Sequence, residues 1–190
     1  GMVVLGYDST LPVEMEDIMR ATQAVARGTE TAMVIADMPF MSYAMPEDAL
    51  RNAGKFLKHG NADAVKLEGG RERERAVKLM TENGIATFAH IGLTPTYYKN
   101  LSGFKVQGKS AVAAEKLVED ALIMQEAGAF ALVLETIPWK VAAEITKRLK
   151  IPTIGIGAGP YCDGQILVAH DAFGAFNSDY MKPRFLKRFY

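Results

Sequence analysis

The sequence has very little of what would mark a secreted, nucleic-acid-binding or membrane protein. Cys162 is the single cysteine among 190 residues, so no disulfide can form within the chain and a structural zinc site would lack a second thiol. Lysine plus arginine and aspartate plus glutamate both number 22, which leaves no net charge to attract nucleic acid or an anionic membrane. No apolar run approaches the roughly 20 residues of a membrane span. We therefore expect a cytoplasmic protein that binds neither nucleic acid nor membrane.

Several catalytic signatures are missing as well. The chain has no Ser-His-Asp ordering, no Walker sequence, no dinucleotide-binding fingerprint and no paired Cys/His spacing. The segment Gly155-Ile156-Gly157-Ala158-Gly159 is a weak candidate for a phosphate-binding turn. Glycine-rich strand ends are common wherever a backbone turns tightly, so this segment alone assigns no function.

What the sequence does have is a regular alternation of short apolar segments with segments of helical period. We predict helices at Val13–Arg27, Pro46–His59, Arg71–Asn83, Ser110–Ala127 and Pro138–Leu149. We predict strands at Thr31–Ala36, Ala64–Leu67, Ile85–Ala89, Phe130–Leu134, Thr153–Ile156 and Ile166–Ala169. Apolar strands separated by helices predict one domain with a parallel sheet covered by helices. The pattern fits either an open doubly wound sheet or a β/α barrel that lacks some units.

Three of the apolar segments end in a carboxylate, namely Asp37, Glu68 and Glu135. The C-terminal ends of the strands in a repeating β/α protein meet on one face, so these acids should converge there. Like charges held close together repel unless a cation or a shared proton relieves them. A metal-assisted enzyme is therefore the first hypothesis.

Each of these residues also has a purely structural interpretation. Lys66 and Glu68 point to the same side of their strand, where they could form a structural ion pair or hold an anionic ligand. Asp37 could cap the turn that follows it, and Glu135 could interact with a helix dipole. His90, at the end of another predicted strand, could be a hydrogen-bonded core residue. The residues alone leave these alternatives open.

The segment from Ile91 to Lys109 is the longest stretch without helical or strand periodicity, and we expect it to act as an active-site lid. It carries Tyr97, Tyr98, Phe104 and Lys105, which suit contacts with a flat or charged ligand. The basic and aromatic tail from Lys182 to Tyr190 is expected to form a short helix.

Eight collinear segments carry a family resemblance. They are Gly6-Tyr7-Asp8-Ser9-Thr10-Leu11-Pro12, Ala36-Asp37-Met38-Pro39-Phe40-Met41-Ser42-Tyr43, Val65-Lys66-Leu67-Glu68-Gly69-Gly70, His90-Ile91-Gly92-Leu93-Thr94-Pro95, Phe104-Lys105-Val106-Gln107-Gly108, Leu134-Glu135-Thr136-Ile137-Pro138, Gly155-Ile156-Gly157-Ala158-Gly159 and Asp163-Gly164-Gln165. Together they closely resemble the ketopantoate hydroxymethyltransferase (3-methyl-2-oxobutanoate hydroxymethyltransferase) family. The resemblance runs from Gly1 to the final residues.

The resemblance implies an α/β fold, a (β/α)8 TIM barrel of the phosphoenolpyruvate/pyruvate type. It implies transfer of a hydroxymethyl group from 5,10-methylenetetrahydrofolate to 3-methyl-2-oxobutanoate, which gives 2-dehydropantoate for pantothenate biosynthesis. It also implies Mg²⁺ or another divalent cation as cofactor, and a homo-oligomer, commonly a decamer.

The resemblance implies roles for five residues. Asp37 resembles the family's metal-ligating aspartate, which also contacts the substrate, and Glu68 resembles the glutamate that completes the metal shell directly or through water. Lys66 resembles the lysine that contacts the substrate carboxylate. Glu135 resembles the general base, and His90 an active-site histidine beside the substrate.

The sequence departs from the family at its beginning. Family members carry two further strands before the segment matching Gly1, and the second ends in a Gly-Asp-Ser-Leu motif whose aspartate also binds the metal. We therefore expect about six of the eight barrel units within residues 1–190, with the N-terminal strands and a C-terminal tail outside this sequence. Two other interpretations remain. One is a different Mg²⁺-dependent 2-oxo acid lyase or mutase of the same barrel superfamily, and the other is an inactive truncated paralogue with a structural role.

Overall fold

The structure is a computed structural model that describes residues 1–97, 99, 103, 105–175, 185–186 and 189. The α-helices are α1 (Met2–Leu5), α2 (Met15–Gly28), α3 (Pro46–Gly60), α4 (Glu74–Glu82), α5 (Ala111–Glu126), α6 (Trp139–Arg148) and α7 (Ala169–Ala172). The strands are β1 (Ile35–Asp37), β2 (Ala64–Glu68), β3 (Thr87–Gly92), β4 (Ala131–Glu135), β5 (Thr153–Ile156) and β6 (Gly164–Gln165). Short 3₁₀ helices occur at Arg71–Arg73 and Pro95–Tyr97. Within these described residues, every helix is too short or too polar to cross a membrane.

The described strands form one parallel sheet in which spatial order follows chain order. The order is β1-β2-β3-β4-β5-β6, and each neighbouring pair is parallel. A doubly wound sheet reverses its strand order at a switch point, whereas a β/α barrel adds each strand beside the preceding one. The sequential order therefore selects the barrel arrangement from the two alternatives that the sequence left open.

Side-chain alternation gives the sheet two apolar faces with different partners. One face packs against the helices and carries the larger core, which includes Val65, Leu67, Ala89, Leu132 and Leu134. The opposite face carries a smaller cluster of Phe88, Ala131 and Val133, with Ile35, Ile154 and Ile156 packed against it. Successive residues of a strand point to opposite faces. Toward the strand ends, this second face therefore carries Asp37 in β1, Glu68 in β2, His90 in β3 and Glu135 in β4.

The predicted positions of the elements hold for most of the chain, and the last strand is the main error. We expected a strand at Ile166–Ala169, but β6 is Gly164–Gln165 and Ala169 begins α7. The ladder with β5 pairs Ile154 with Gly164, and its last bond runs from the Ile166 amide to the Gly155 carbonyl at 3.0 Å. Ile166 and Val168 are exposed, so their apolar side chains did not indicate a buried strand.

Smaller corrections concern boundaries. The first predicted strand begins at Ile35 rather than Thr31, and the predicted strand Ile85–Ala89 lies at Thr87–Gly92. The predicted helix Arg71–Asn83 opens with the 3₁₀ turn Arg71–Arg73 before α4. The lid residues Tyr98 and Phe104 lie outside the described residues, as does most of the predicted tail helix.

Gly92 at the end of β3 is a position where the fold depends on glycine. Its φ is +100°, and a Cβ there would collide with the Glu135 carbonyl oxygen and lie 2.8 Å from Ile137 Cγ2. Gly84 has a similar φ of +80° but has open space around it.

We expect Gly84→Ala to destabilise the protein by about 1 kcal/mol from backbone conformation alone. Gly92→Ala should cost about 1–3 kcal/mol more from overpacking, as measured by urea denaturation. Equal losses in the free energy of unfolding for the two variants would contradict the inference that a side chain at position 92 is overpacked against Glu135 and Ile137.

Candidate active site

Register and alternation bring five sequence-predicted residues to one end of one sheet face. Asp37 pairs with Lys66 across β1 and β2, and Glu68 pairs with His90 across β2 and β3. Gly92 pairs with Glu135 across β3 and β4, which sets Glu135 one step above His90. All of these positions lie at the C-terminal ends of parallel strands, the edge at which β/α barrels build their active sites.

Lys66 joins two carboxylates on adjacent strands. Its Nζ atom lies 3.0 Å from Asp37 Oδ2 and 3.1 Å from Glu68 Oε1, and its side chain is only 13% exposed. Burial favours the neutral amine, but the two carboxylates outweigh that effect and raise the pKa of Lys66 above its ordinary value. Lys66 is therefore a fixed positive charge at the strand ends.

Glu68 is the most enclosed of the three acids, with a side chain that is 5% exposed. Its Oε2 atom accepts hydrogen bonds from the Thr96 amide at 2.9 Å and from Thr96 Oγ1 at 2.5 Å. Burial raises the pKa of Glu68, but Lys66, His90 and the Thr96 hydrogen bonds more than reverse that effect and leave the pKa below its usual range. Glu68 is therefore held as a carboxylate.

Asp37 occupies the open side of the site, with a side chain that is 58% exposed. Desolvation by the surrounding protein raises the pKa of Asp37; Lys66 opposes that rise, and the negative charge of Glu68 adds to it. One ammonium group lies between two carboxylates, so the three groups together keep a net negative charge when both acids are ionised. A further cation at this edge would relieve that repulsion.

His90 lies between Glu68 and Glu135 and is 2% exposed. Its Nε2 atom is 3.2 Å from Glu135 Oε2 and its Nδ1 atom is 4.0 Å from Glu68 Oε1. Neither contact has hydrogen-bond alignment, so within the described part of the chain both buried ring nitrogens lack a hydrogen-bond partner. Buried polar groups are normally satisfied, which indicates that His90 faces a place for a polar ligand or water.

The loops above the site are tied together through Arg73, which follows β2. Its guanidinium donates to the Ala44 carbonyl at 3.2 Å and to the Tyr97 hydroxyl, and it lies 5.5 Å from the centre of the Tyr43 ring. Ala44 and Tyr43 belong to the loop after β1, whereas Tyr97 belongs to the loop after β3. Arg73 therefore links the loops after three successive strands.

The donor set fits a magnesium ion that keeps substrate and water ligands. Among the described residues no group of three or more Asp, Glu, His or Cys side chains is arranged to hold a metal. Mg²⁺ commonly uses only one or two carboxylates, together with water and substrate oxygens. The exposed Asp37 suits direct contact. Both oxygens of Glu68 already face donors from Lys66 and Thr96, so Glu68 suits contact through water.

Sequence reasoning missed Thr96 and Tyr43, the two buried residues that support Glu68. Tyr43 Oη lies 3.3 Å from Thr96 Oγ1, and neither residue stands at a strand end or in a charged pattern that would indicate a functional role.

The glycine-rich segment Gly155–Gly159, the weak candidate for a phosphate-binding turn, has a packing explanation instead, because a Cβ at Gly159 would collide with Trp139. Thr136, directly after Glu135, has φ +49°, a strained value for a β-branched residue that sequence does not reveal.

Substitutions of Lys66 and of its exposed partner Asp37 test the ion pairs. Lys66→Met would leave the buried Glu68 charge uncompensated, and we expect a loss of about 3–5 kcal/mol in the free energy of unfolding at pH 7. Asp37→Asn, at the exposed partner, should cost less than about 1 kcal/mol.

The ion pair should also make stability depend on pH. Because the pKa of Glu68 is lowered in the folded protein, its stabilising charge is present above about pH 4.3, the pKa of an unfolded glutamate, and is lost as pH falls through the pKa of the folded state. The Lys66→Met penalty should therefore shrink below about pH 4; a penalty that stays constant in acid would contradict the assignment.

Solved structures similar to this chain are barrel enzymes of low sequence identity. A structure of oxaloacetate acetylhydrolase in complex with the product oxalate has a TM-score of 0.60 at 15% identity, over 81% of this chain and 55% of that one. Orotidine 5'-monophosphate decarboxylase from Methanocaldococcus jannaschii has a TM-score of 0.51 at 17% identity, over 77% of this chain and 62% of that one. Together with the strand order, they confirm the expected fold, a TIM barrel of which this chain forms a part.

Sequence relatives are much closer. A protein from Syntrophus aciditrophicus (strain SB), named 3-methyl-2-oxobutanoate hydroxymethyltransferase, is 55% identical over 190 residues, which are 100% of this chain and 69% of the relative. A protein of the same name from Thermoanaerobacter sp. (strain X514) is 50% identical over 100% of this chain and 69% of its own length. The family model described as ketopantoate hydroxymethyltransferase matches residues 1–190. The chain belongs to the ketopantoate hydroxymethyltransferase family.

Proposed function

We propose that this chain transfers a hydroxymethyl group from 5,10-methylenetetrahydrofolate to 3-methyl-2-oxobutanoate and so forms 2-dehydropantoate. The observation that carries the proposal is the 50–55% identity, across the whole chain, to enzymes named for hydroxymethyl transfer to this 2-oxo acid. The arrangement of Asp37, Lys66, Glu68, His90 and Glu135 at the strand ends supports it. At that identity, a lyase or mutase of the same superfamily and an inactive paralogue are not favoured.

Lys66 and Asp37 provide the binding edge for the 2-oxo acid. The substrate is an anion, and the fixed positive charge of Lys66 suits its carboxylate. Asp37, together with Glu68 through water, would hold Mg²⁺. When bound, the cation would supply the Lewis acidity that polarises the keto group and makes the C3 proton acidic.

Glu135 is positioned to remove that C3 proton. Its Oε2 atom is 3.2 Å from His90 Nε2, and its side chain is 17% exposed, so it borders the open side of the site while His90 lies beneath. A carboxylate within reach of the substrate can act as the general base. The C3 carbon then bonds to the methylene carbon of 5,10-methylenetetrahydrofolate, and both C–N bonds that join this carbon to the folate break. Water supplies the hydroxyl group of the product, and tetrahydrofolate leaves with the proton taken from C3 and the remaining proton of that water.

The proposal extends to location and assembly. The single cysteine is consistent with a reducing compartment, and we propose the cytoplasm. We also propose a homo-oligomer, a decamer by family resemblance, which light scattering of the purified protein would measure directly. The neutral overall charge supports small-molecule substrates rather than nucleic acid.

Removal of the proposed base gives the first test of the chemistry. We expect Glu135→Gln to lower exchange of the C3 proton of 3-methyl-2-oxobutanoate by about 100-fold or more, because general acid–base catalysis contributes on that scale. Binding of the 2-oxo acid should change little. Proton NMR in D₂O measures the exchange and titration calorimetry measures the binding.

Glu82→Gln serves as the matched control, since Glu82 is an exposed residue at the end of α4. It should exchange the proton at the wild-type rate. Wild-type exchange by Glu135→Gln itself would remove Glu135 from the role of base.

Metal removal gives the second test. Excess EDTA should abolish formation of 2-dehydropantoate, and added Mg²⁺ should restore it, because the keto group is otherwise not polarised. EDTA that has been saturated with Mg²⁺ beforehand is the control and should have no effect. Undiminished turnover in excess free EDTA would mean that this chain does not use a divalent cation.

A further inference from the structure

The hydroxyl and amide groups of Thr96 contact the same oxygen of Glu68. The amide donates to Oε2 at 2.9 Å and Oγ1 lies 2.5 Å from the same atom, with both residues buried. A pair of donors on one carboxylate oxygen fixes both the rotation and the position of the carboxylate. The other oxygen, Oε1, is then directed toward Lys66 at 3.1 Å and toward His90 Nδ1 at 4.0 Å.

Thr96 is itself held from the neighbouring loops. Tyr43, which is buried in the loop after β1, has its hydroxyl 3.3 Å from Thr96 Oγ1. Tyr97, the next residue along the chain, receives a hydrogen bond from Arg73. Thr96 therefore sits at the place where the loops after β1, β2 and β3 meet Glu68.

A side chain of the same shape as Thr96 but without its hydroxyl could not make the hydrogen bond to Glu68. A valine at position 96 would keep nearly the same shape and the same amide donor but would remove Oγ1. Glu68 would then lose one of its two donors from Thr96 in an enclosed site, where water has little access to replace it. Free of that bond, the carboxylate can rotate away from the orientation that directs Oε1 at Lys66.

We propose that Thr96 is a positioning residue of the active site, which orients Glu68 so that this carboxylate supports the cation bound at Asp37. The proposal rests on the proposed function, because it takes Glu68 to act on the divalent cation. It makes the hydroxyl of Thr96 a requirement for cation affinity rather than only for folding. Outer-shell partners such as Glu68, which acts through water, commonly contribute about 10–100-fold to metal affinity, and Thr96 sets the orientation of this partner.

The test compares Mg²⁺ affinity across variants of the full chain, measured by titration calorimetry with saturating 3-methyl-2-oxobutanoate. We expect Thr96→Val to weaken Mg²⁺ binding by about 10-fold or more. Thr96→Ser retains the hydroxyl and should stay within about threefold of wild type. Thr87→Val makes the same substitution at another buried threonine, whose hydroxyl bonds to the Ile85 carbonyl, and should leave the affinity unchanged.

A double-mutant comparison separates positioning from general damage. If Thr96 acts through Glu68, Thr96→Val should have no further effect on Mg²⁺ affinity when it is added to Glu68→Ala. The same loss in both backgrounds would overturn the proposal, and so would wild-type affinity in folded Thr96→Val. If Thr96→Val does not fold, Thr96→Ala takes its place in each comparison. Wild-type protein that binds no Mg²⁺ under these conditions would overturn the proposed function itself, and with it this proposal.

Discussion

The structure of the site depends on one buried cation, the ammonium group of Lys66, placed between the carboxylates of Asp37 and Glu68. A buried charge is costly unless it is paired, and each member of this group makes the others tolerable. Glu68 can be enclosed because Lys66 and Thr96 compensate its charge. Lys66 can be enclosed because two acids face it. This mutual dependence fixes charged side chains at the ends of adjacent strands before any substrate arrives.

Sheet geometry determines which residues can take part. The second face of the sheet carries apolar residues such as Phe88 and Val133 below, and His90 and Glu135 directly above them. A shift of one residue in the register of β2 would turn Lys66 and Glu68 toward the helices and bring Leu67 to the site. The apolar layer below therefore specifies the active site as much as the polar residues do, because it fixes the register.

Strand-end acids and the β/α alternation were predictable because both follow from periodicities of the chain. Asp37, Glu68 and Glu135 each close an apolar run, and parallel strands must present those ends together. The position of β6 was not predictable, since Gly164 and Gln165 pair through their backbones while the apolar Ile166 stays exposed. Thr96 was not predictable either. Its contact with Glu68 spans 28 positions and depends on how a loop folds back, which no local pattern encodes.

The charge balance of the site is compatible with the divalent cation that we propose beside Asp37. Two carboxylates, those of Asp37 and Glu68, share the ammonium group of Lys66, and a third, that of Glu135, lies nearby beside His90, so the carboxylates outnumber the ammonium group. An anionic 2-oxo acid entering this site would add to the repulsion. The proposed divalent cation at the exposed edge beside Asp37 would offset both, so substrate and cation should each bind more tightly when the other is present. The charge of Lys66 alone therefore does not balance the site once the anionic substrate is bound. In the absence of substrate, it is enough to stabilise the neighbouring carboxylates.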